Sequence, residues 1–331
     1  MLSTTMRAAV CVRAGGPEVL EIRELPVPAV REGWSLVRVL GAGLNRSELR
    51  TRQGHSPSVR FPRVLGIECV GVVAASTDPA LPEGTTVAAV MGEMGRDFDG
   101  GYAEYALLPN SLLMPLTTTL PREVLAALPE TYLTAQGSLD ALGIAPGDRG
   151  RLLIRGGTSS VGMAAASIAS GYGLETAATT RRQSKVEALT AAGVDHVLVD
   201  EGGPLGPQVH AIWPEGPDHV LDLVGTSTAV DSLRLVRRGG TVCMTGTLSG
   251  WLIPDFEPVA MIPSGTRLTA FHSDNYKGGA GVDVLRRIVR EVEAGVYRPN
   301  VDRVFALDDI VAAHRYMEND EATGKVIVVP R

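Results

Sequence analysis

A glycine-rich segment in the middle of the chain has the composition of a phosphate-binding loop. Gly156, Gly157 and Gly162 surround a Thr-Ser-Ser triplet; the apolar run RLLIR precedes them and a segment rich in Ala and Ser follows. In a strand–turn–helix unit, glycines permit a tight turn, and the N–H groups and dipole of the helix N-terminus then face an anion. The spacing departs from G-x-G-x-x-G, so a simple tight turn is an equally good interpretation of the loop alone.

A group of cations follows the next predicted strand, Glu175–Thr180. Arg181, Arg182 and Lys185 come directly after this strand, and no Asp or Glu stands at its end to bind a ribose 2′-hydroxyl. Cations oppose the dipole of a helix N-terminus unless an anion is present, although solvated surface charges are the alternative. The cluster therefore favours a 2′-phosphate, and hence NADP(H) over NAD(H), with contacts from Thr180, Arg181 and Lys185.

These residues lie on segments that alternate between strand and helix from about residue 121 onwards. The predicted strands are Arg151–Arg155, Glu175–Thr180, His196–Asp200, His219–Val224, Gly240–Thr245 and Arg267–His272, and the predicted helices include Pro121–Leu142, Val161–Ser170, Ser184–Ala192 and Gly281–Gly295. Strands that alternate with helices indicate βαβ units and a doubly wound parallel sheet.

The first third of the chain has a different pattern, in which short apolar runs are separated by Gly and Pro. Strands are predicted at Met6–Val12, Leu36–Leu40, Val70–Ala74, Thr86–Val90 and Tyr102–Leu108, and a further one at the chain's end, Lys325–Val329. Many short strands with turn signals are typical of a barrel-like β unit. The fold class is thus α/β with a separate β-rich domain.

Composition narrows the class of protein. The 331 residues carry a net charge of −6, which excludes a general binder of phosphate backbones and leads us to expect no nucleic-acid partner. Three cysteines are too few for a disulfide framework, and no apolar run is long enough to span a membrane. Without a secretory leader at the start, we expect a cytoplasmic protein that does not associate with a membrane.

Several short motifs, in this order along the chain, resemble those of the medium-chain dehydrogenase/reductases, and within them the zinc-independent, zeta-crystallin-like quinone oxidoreductases. The motifs are Gly43-Leu44-Asn45, Leu65-Gly66-Ile67-Glu68, Gly100-Gly101-Tyr102-Ala103-Glu104-Tyr105, Leu133-Thr134-Ala135, the loop Arg155 to Gly162, and Gly324-Lys325-Val326-Ile327-Val328. The resemblance implies a discontinuous GroES-like catalytic domain at 1–125 and 277–331, and a Rossmann NADP(H)-binding domain at 126–276. It also implies a homodimer formed by edge strands of the Rossmann sheets, with Arg267–His272 as the candidate edge.

The family resemblance makes the question of zinc decidable. The metal-dependent branch places Cys where Asn45 stands and His where Ile67 stands, and it carries a four-Cys lobe in a region where residues 83–105 contain no Cys. We therefore predict no metal, and we interpret Glu68 as a buried polar group that bridges strands. Without a Lewis acid, acceptors that take hydride readily, namely quinones and α,β-unsaturated carbonyls, are favoured over alcohols.

The resemblance also implies a set of site residues. Asn45 would position the substrate or the nicotinamide, although capping of the following helical segment is the alternative. Arg50 and Ser56 stand where the quinone oxidoreductases often carry two tyrosines, and we place them in the substrate cleft. No general acid is assigned. The remaining cofactor contacts are Thr134, Gly157, Thr158, Ser159, Ser160, Val161, Val224, Gly225, Thr245, Gly246, Thr247, Phe271 and Lys325.

The leading hypothesis from the sequence is an NADPH-dependent, zinc-free oxidoreductase that reduces a small-molecule quinone or enone. An enoyl-type double-bond reductase is the near alternative. A protein that binds NADPH as a redox sensor without turnover is the alternative from another class, because the two tyrosine positions are altered.

Overall fold

The computed structural model describes residues 3–330 of the chain. Its strands are β1 (Thr5–Cys11), β2 (Leu20–Pro26), β3 (Trp34–Leu44), β4 (Arg63–Val64), β5 (Glu68–Ser76), β6 (Thr86–Val90), β7 (Tyr105–Pro109), β8 (Met114–Pro115), β9 (Arg151–Arg155), β10 (Glu175–Thr180), β11 (His196–Val199), β12 (His219–Asp222), β13 (Thr241–Met244), β14 (Arg267–Ala270), β15 (Val301–Ala306) and β16 (Lys325–Val329). Its α-helices are α1 (Arg46–Arg52), α2 (Arg122–Ala126), α3 (Pro129–Leu142), α4 (Ser160–Tyr172), α5 (Val186–Ala191), α6 (Gly206–Ile212), α7 (Ala229–Leu235), α8 (Pro258–Met261), α9 (Gly279–Glu293) and α10 (Ile310–Glu318).

The chain divides into two compact units. The first unit contains the described residues up to Leu133, Ser273–Ala294 and the described residues from Val301 onwards. The second unit contains Thr134–His272 and Gly295–Asn300. The first unit is therefore built from both ends of the chain.

The first unit contains two β-sheets. A three-stranded sheet has the order β2-β1-β4, and a larger sheet has the order β15-β16-β3-β5-β6-β8, with β7 paired to β3. The long strand β3 lies near the middle of the larger sheet and pairs antiparallel with β5, β7 and β16. Because β16 ends the chain, its pairing with β3 joins the two ends of the sequence in one sheet. This β-rich architecture is the GroES-like domain that the sequence predicts.

The second unit contains one parallel sheet of six strands in the order β11-β10-β9-β12-β13-β14. Counted from β9, this is the 3-2-1-4-5-6 order of a doubly wound dinucleotide-binding fold. The middle of β9 is fully buried at Leu152, Leu153 and Ile154, as expected for a central strand covered on both faces. The predicted Rossmann sheet is confirmed, and β14 is an edge strand, as predicted.

Predicted element boundaries agree best where Gly, Pro or a charged residue stops an apolar run. Strands β6, β9, β10 and β16 begin and end at the predicted residues. The single helix predicted over Pro121–Leu142 is wrong, because α2 ends at Ala126 and α3 begins at Pro129. Proline lacks an N–H group and its ring clashes with the preceding turn, so Pro129 starts a new helix rather than continuing the first.

Four strands of the first unit escape the sequence analysis: the two-residue strands β4 and β8, and the longer strands β2 and β15. In β2 five of seven residues are exposed, and in β15 only Phe305 is buried, so neither shows the apolar alternation of a half-buried strand. Both strands lie at the edge of a sheet, where polar side chains are tolerated. Among the described helices, none combines the length and apolar character that a membrane crossing requires.

Candidate active site

The glycine loop connects β9 to α4 at the carboxyl edge of the parallel sheet. Gly156 has φ +79°, a conformation that favours glycine. Its N–H group donates to Oγ1 of Thr179 at 3.0 Å, and the N–H group of Gly157 donates to the carbonyl oxygen of Thr179 at 3.0 Å. These bonds fix the loop to the end of the neighbouring strand β10.

Ser159 is the N-cap of α4. Its hydroxyl donates to the carbonyl oxygen of Gly156 at 2.7 Å and accepts from the N–H group of Gly162 at 3.1 Å. The N–H groups of Ser160 and Val161, in the first turn of the helix, have no acceptor within residues 3–330. The Ser159 hydroxyl is thus engaged in capping, whereas two backbone donors stand ready for an anion.

Close packing explains why Gly162 is glycine. A Cβ atom at this position would lie 2.7 Å from the carbonyl oxygens of both Gly156 and Gly157. A Cβ atom at Gly157 would lie 2.7 Å from the Cβ atom of Ala178 on β10. Any larger residue would therefore push α4 or β10 away from the loop.

The cationic cluster follows β10, the strand next to the glycine loop. Arg181 and Arg182 are exposed and Lys185 is half-buried. The hydroxyl of Thr180 is buried and bonded to the backbone of Arg182, whose N–H group donates to it at 3.2 Å. Because β9 and β10 are adjacent and parallel, the glycine loop and the cations share one edge of the sheet.

Asp222, which the sequence analysis missed, shapes the turn after β12. Its buried carboxylate accepts from the N–H groups of Val224 at 3.0 Å and Gly225 at 2.9 Å, and from the hydroxyls of Thr228 and Ser232. A buried aspartate at the carboxyl end of a parallel strand is the signal that was available in the sequence. The predicted contacts at 224 and 225 thus depend on this carboxylate.

The turn after β13 carries three further predicted contacts. The hydroxyls of Thr245 and Ser138 are 2.9 Å apart, and the Ser138 hydroxyl also donates to the carbonyl oxygen of Thr134 at 2.7 Å. Gly246 is so close to the preceding loop that a Cβ atom would lie 1.8 Å from the carbonyl oxygen of Leu223. Thr247 is half-buried beside it.

Phe271 packs its ring against a helix. A Cβ atom at Gly137 of α3 would lie 2.0 Å from the tip of this ring, so the two residues are in close contact. The ring therefore has a packing role within the second unit. The neighbouring His272 is exposed.

Asn45 lies in a buried polar cluster of the first unit. It occupies the N-cap position of α1 and forms a capping box with Glu48, whose Oε2 atom accepts from the Asn45 backbone N–H group at 3.1 Å. Its Oδ1 atom accepts from Nζ of Lys325 at 2.7 Å, and its Nδ2 atom donates to Oε1 of Glu68 at 3.0 Å. Lys325 and Glu68 form an ion pair of 2.5 Å, and Glu68 is fully buried. The prediction that Glu68 is a buried bridging group is confirmed.

Two more carboxyl groups complete what we call the carboxylate cluster, which consists of Glu48, Glu68, Glu130 and Lys325. Oε1 of Glu48 accepts from the Ile67 N–H group at 3.0 Å, and Oε2 of Glu68 accepts from the Glu130 N–H group at 2.8 Å. Burial raises the pKa of Glu48 to about 7 and that of Glu130 to about 8. The charge of Glu68 also raises both pKa values, whereas the Lys325 ammonium lowers them.

Of the two proposed cleft residues, Arg50 lies in the C-terminal half of α1 and Ser56 follows the helix. Arg50 is half-buried, and the hydroxyls of Ser56 and Thr51 are 2.7 Å apart. The fully buried cation of this helix is Arg52, which bonds to the Gly15 carbonyl oxygen and pairs with Glu318. Its ion-pair partner Glu318 stands 266 residues away in the sequence, so no local pattern indicated the pair.

Ile67 and the three cysteines, which bear on the metal question, are all buried. The cysteines Cys11, Cys69 and Cys243 lie in strands β1, β5 and β13. Within residues 3–330 there is no group of three or more His, Cys, Asp or Glu side chains with the geometry to hold a metal ion.

Comparison with known proteins places this architecture in a family. Residues 31–118 match the model of the alcohol dehydrogenase GroES-like domain, and residues 192–328 match the model described as zinc-binding dehydrogenase. A human quinone oxidoreductase is 26% identical, with 98% of each chain covered. A chloroplastic NADPH-dependent alkenal/one oxidoreductase of Arabidopsis thaliana is 27% identical over 98% of this chain and 80% of its own.

Solved structures agree with the sequence relatives. A mycobacterial protein complexed with NADPH is 25% identical and superposes with a TM-score of 0.87, covering 98% of this chain and all of its own. The two domain models, the relatives that match over nearly the whole chain and the fold agree with one another. The chain belongs to the medium-chain dehydrogenase/reductases, in the zinc-independent quinone oxidoreductase branch.

Proposed function

We propose that this protein is an NADPH-dependent oxidoreductase that transfers a hydride, without zinc, to a quinone or an activated α,β-unsaturated carbonyl. The observation that carries the proposal is the pairing, on adjacent strands, of a glycine loop with unused N–H donors and a cluster of cations. An anion at the loop and a second phosphate at the cations are the two features of NADPH that these groups fit.

In this proposal each end of the cofactor has its own residues. Ser160 and Val161 donate their backbone N–H groups to the pyrophosphate, with Gly157, Thr158 and Ser159 shaping the loop. Thr180, Arg181 and Lys185 hold the 2′-phosphate. The nicotinamide half is assigned to Asn45, Thr134, Val224, Gly225, Thr245, Gly246, Thr247, Phe271 and Lys325. Bound NADPH supplies the hydride; the protein contributes binding and orientation.

The acceptor class is supported by the relatives. One of them is named a quinone oxidoreductase and another an NADPH-dependent alkenal/one oxidoreductase. Both acceptor types take hydride at an electron-poor carbon without a Lewis acid, which suits a site with Asn45 and Ile67 at the positions of the family's metal ligands. Arg50 and Ser56 are the proposed substrate-side residues.

Two further properties belong to this proposal. We place the protein in the cytoplasm, where its three unpaired thiols would remain reduced. We also propose a homodimer formed through the edge strand β14, because an open strand edge with unpaired backbone groups invites pairing.

The test is oxidation of NADPH by purified protein against a panel of quinones and enones, followed by the absorbance of the reduced nicotinamide. Turnover with one acceptor class would support the proposal and name the class. Tight NADPH binding without oxidation by any acceptor would refute catalysis and favour a redox sensor.

A further inference from the structure

Arg155 is a buried cation at the end of the central strand β9, directly before the glycine loop. Its side chain is 3% exposed and lies between two carboxylates. Nη1 donates to Oδ2 of Asp231 at 2.6 Å, and Nη2 donates to Oδ2 of Asp200 at 3.3 Å. All three residues belong to the second unit. Because a buried charge needs partners of opposite sign, these two contacts hold the guanidinium in place.

Asp200 stands beside the strand that leads into the cationic cluster. Its backbone N–H group donates to the carbonyl oxygen of Thr180 at 2.8 Å, and Arg181 follows Thr180 in the chain. Both of its carboxylate oxygens are engaged in other contacts, Oδ2 with Arg155 and Oδ1 with the N–H group of Gly202 at 3.0 Å. An acidic residue thus adjoins the cationic cluster, while its charge is compensated by Arg155.

The other carboxylate partner, Asp231, has a different place in the fold. It belongs to α7, which follows β12, and β12 neighbours β9 on the side away from β10. Its side chain is 36% exposed, so water screens its charge. The two partners of Arg155 are therefore the same chemical group on opposite sides of β9, and of the two it is Asp200 that adjoins β10.

We infer that Arg155 is a positioning residue for the choice of cofactor, because it holds the Asp200 carboxylate away from the cationic cluster. The cluster's positive charge is then left for a 2′-phosphate. The inference rests on the proposed function, in which Thr180, Arg181 and Lys185 bind this phosphate. Without Arg155, the Asp200 carboxylate would pair with the adjacent cations and repel the phosphate. NADH has a hydroxyl at this position and would lose neither interaction.

The experiment measures the dissociation constants of NADPH and NADH by fluorescence titration and compares their ratio between variants. Arg155→Met removes the cation, and it should weaken NADPH about tenfold and change NADH by less than about twofold. Arg151→Met, at the other end of β9, breaks an exposed ion pair with Glu175 and should leave the ratio unchanged. NADH binding also reports folding, because NADH would use the same glycine loop.

Two double variants test whether the effect depends on Asp200. Arg155→Met with Asp200→Asn should restore the native ratio to within about twofold, because the carboxylate that competes for the cations is gone. Arg155→Met with Asp231→Asn removes the same charge from the other partner and should leave NADPH weakened about tenfold. Asp200→Asn alone should change the ratio by less than about twofold, since Arg155 already compensates this charge.

Arg155→Gln is a second variant that protects the fold. It keeps N–H donors within the buried network, where methionine leaves two carboxylates without one. It removes the same charge as Arg155→Met, so the same loss of preference for NADPH is expected. An unchanged ratio in this variant would overturn the inference.

The outcomes separate this inference from the proposed function. If Arg155→Met weakens NADPH and NADH by the same factor, Arg155 has only a structural role. If both double variants restore the ratio equally, the position of Asp200 is irrelevant, and either result overturns the inference while the proposed function stands. If the native protein binds neither cofactor, or binds both equally, the proposed NADPH dependence fails and the inference falls with it.

Discussion

Nζ of Lys325 and Oε1 of Glu68 are 2.5 Å apart, with side chains exposed by 1% and 0%. The two residues stand 257 positions apart in the sequence, and their pair joins the last strand, β16, to the first residue of β5. Taking two charges out of water is costly, so each partner depends on the other. We therefore expect removal of either partner to leave a buried charge without compensation.

Loss of the Lys325 ammonium should destabilise the protein strongly. Lys325→Met leaves Glu68 buried and uncompensated, and we expect the free energy of unfolding to fall by about 3–5 kcal/mol in denaturant titrations. The matched control is Arg23→Met, which removes an exposed ion pair with Glu21 and should change stability by less than about 1 kcal/mol. Equal effects of the two substitutions would show that Glu68 does not depend on Lys325 to compensate its buried charge.

Stability should decrease with rising pH because of Glu48 and Glu130. Their pKa values in the folded protein, about 7 and about 8, lie above the ordinary value of 4.5, so the folded state binds more protons. The unfolding free energy should therefore fall between about pH 4.5 and pH 8. Each of the two carboxyl groups contributes up to about 1.4 kcal/mol per pH unit.

Removing these carboxyls tests the origin of that slope. Glu48→Gln should flatten the decline up to about pH 7, and Glu130→Gln should flatten it up to about pH 8. Glu293 is the control, because hydrogen bonds from Thr118 and Thr119 lower its pKa and Glu293→Gln should leave this decline unchanged. If neither Glu48→Gln nor Glu130→Gln changes the slope, other titratable groups cause the decline in stability.

The cationic cluster should decide the choice of cofactor. The double variant Arg181→Ala with Lys185→Ala should weaken NADPH about 10- to 100-fold and NADH by much less, since charge-assisted bonds to a phosphate are lost. Fluorescence titration measures both constants. Arg149→Ala, at an exposed position before β9, is the control for loss of a surface cation. Similar losses for the two cofactors would mean that the cluster does not bind the 2′-phosphate.

The Ser159 hydroxyl should contribute to stability through its cap. Ser159→Ala should lower the unfolding free energy by about 1 kcal/mol, whereas Ser159→Gly should cost only a few tenths. Ser170→Ala, at an exposed position near the other end of α4, is the control. Thermal or denaturant unfolding gives the difference, and an Ala variant as stable as the control would argue against the cap.

The edge strand β14 allows a test of the proposed dimer. The N–H groups of Arg267 and Phe271 donate to the carbonyl oxygens of Gly240, just before β13, and of Met244 in β13. In the alternating pattern of a strand, the N–H group of Ala270 therefore points away from the sheet. Ala270→Pro should thus leave the sheet intact and prevent pairing with a second copy. Light scattering should show a dimer for the native protein and a monomer for the variant. A native monomer at micromolar concentration would refute the proposal.

The sequence was sufficient for features that depend on neighbouring residues. The run Leu152–Ile154 between a charged residue and the glycine loop predicts a central strand, because only a fully buried strand is apolar over so short a length. The glycine loop and the cations after β10 could likewise be identified from residues that are adjacent in the sequence. It failed at Pro129, where the helical periodicity continues through a residue that must start a new helix.

Contacts between distant residues were beyond the sequence. Nothing near Asn45 indicates that Lys325 binds its oxygen, and nothing near Glu68 indicates that Lys325 is its partner. These buried polar side chains find their hydrogen-bond partners only in the folded protein, because the tertiary fold brings together residues that are far apart in the sequence. Their sequence signal is only a polar residue within an apolar run, which many functions would explain equally well.

The position of β16 has a consequence for the order of events during protein synthesis. The strand ends one residue before the last described position, and it must insert between β15 and β3 to complete the larger sheet. The second unit, whose residues are all made earlier, is free to fold while the ribosome is still at work. The first unit can close only after β16 has left the ribosomal exit tunnel, and until then the β3 edge is open and Glu68 lacks its cation.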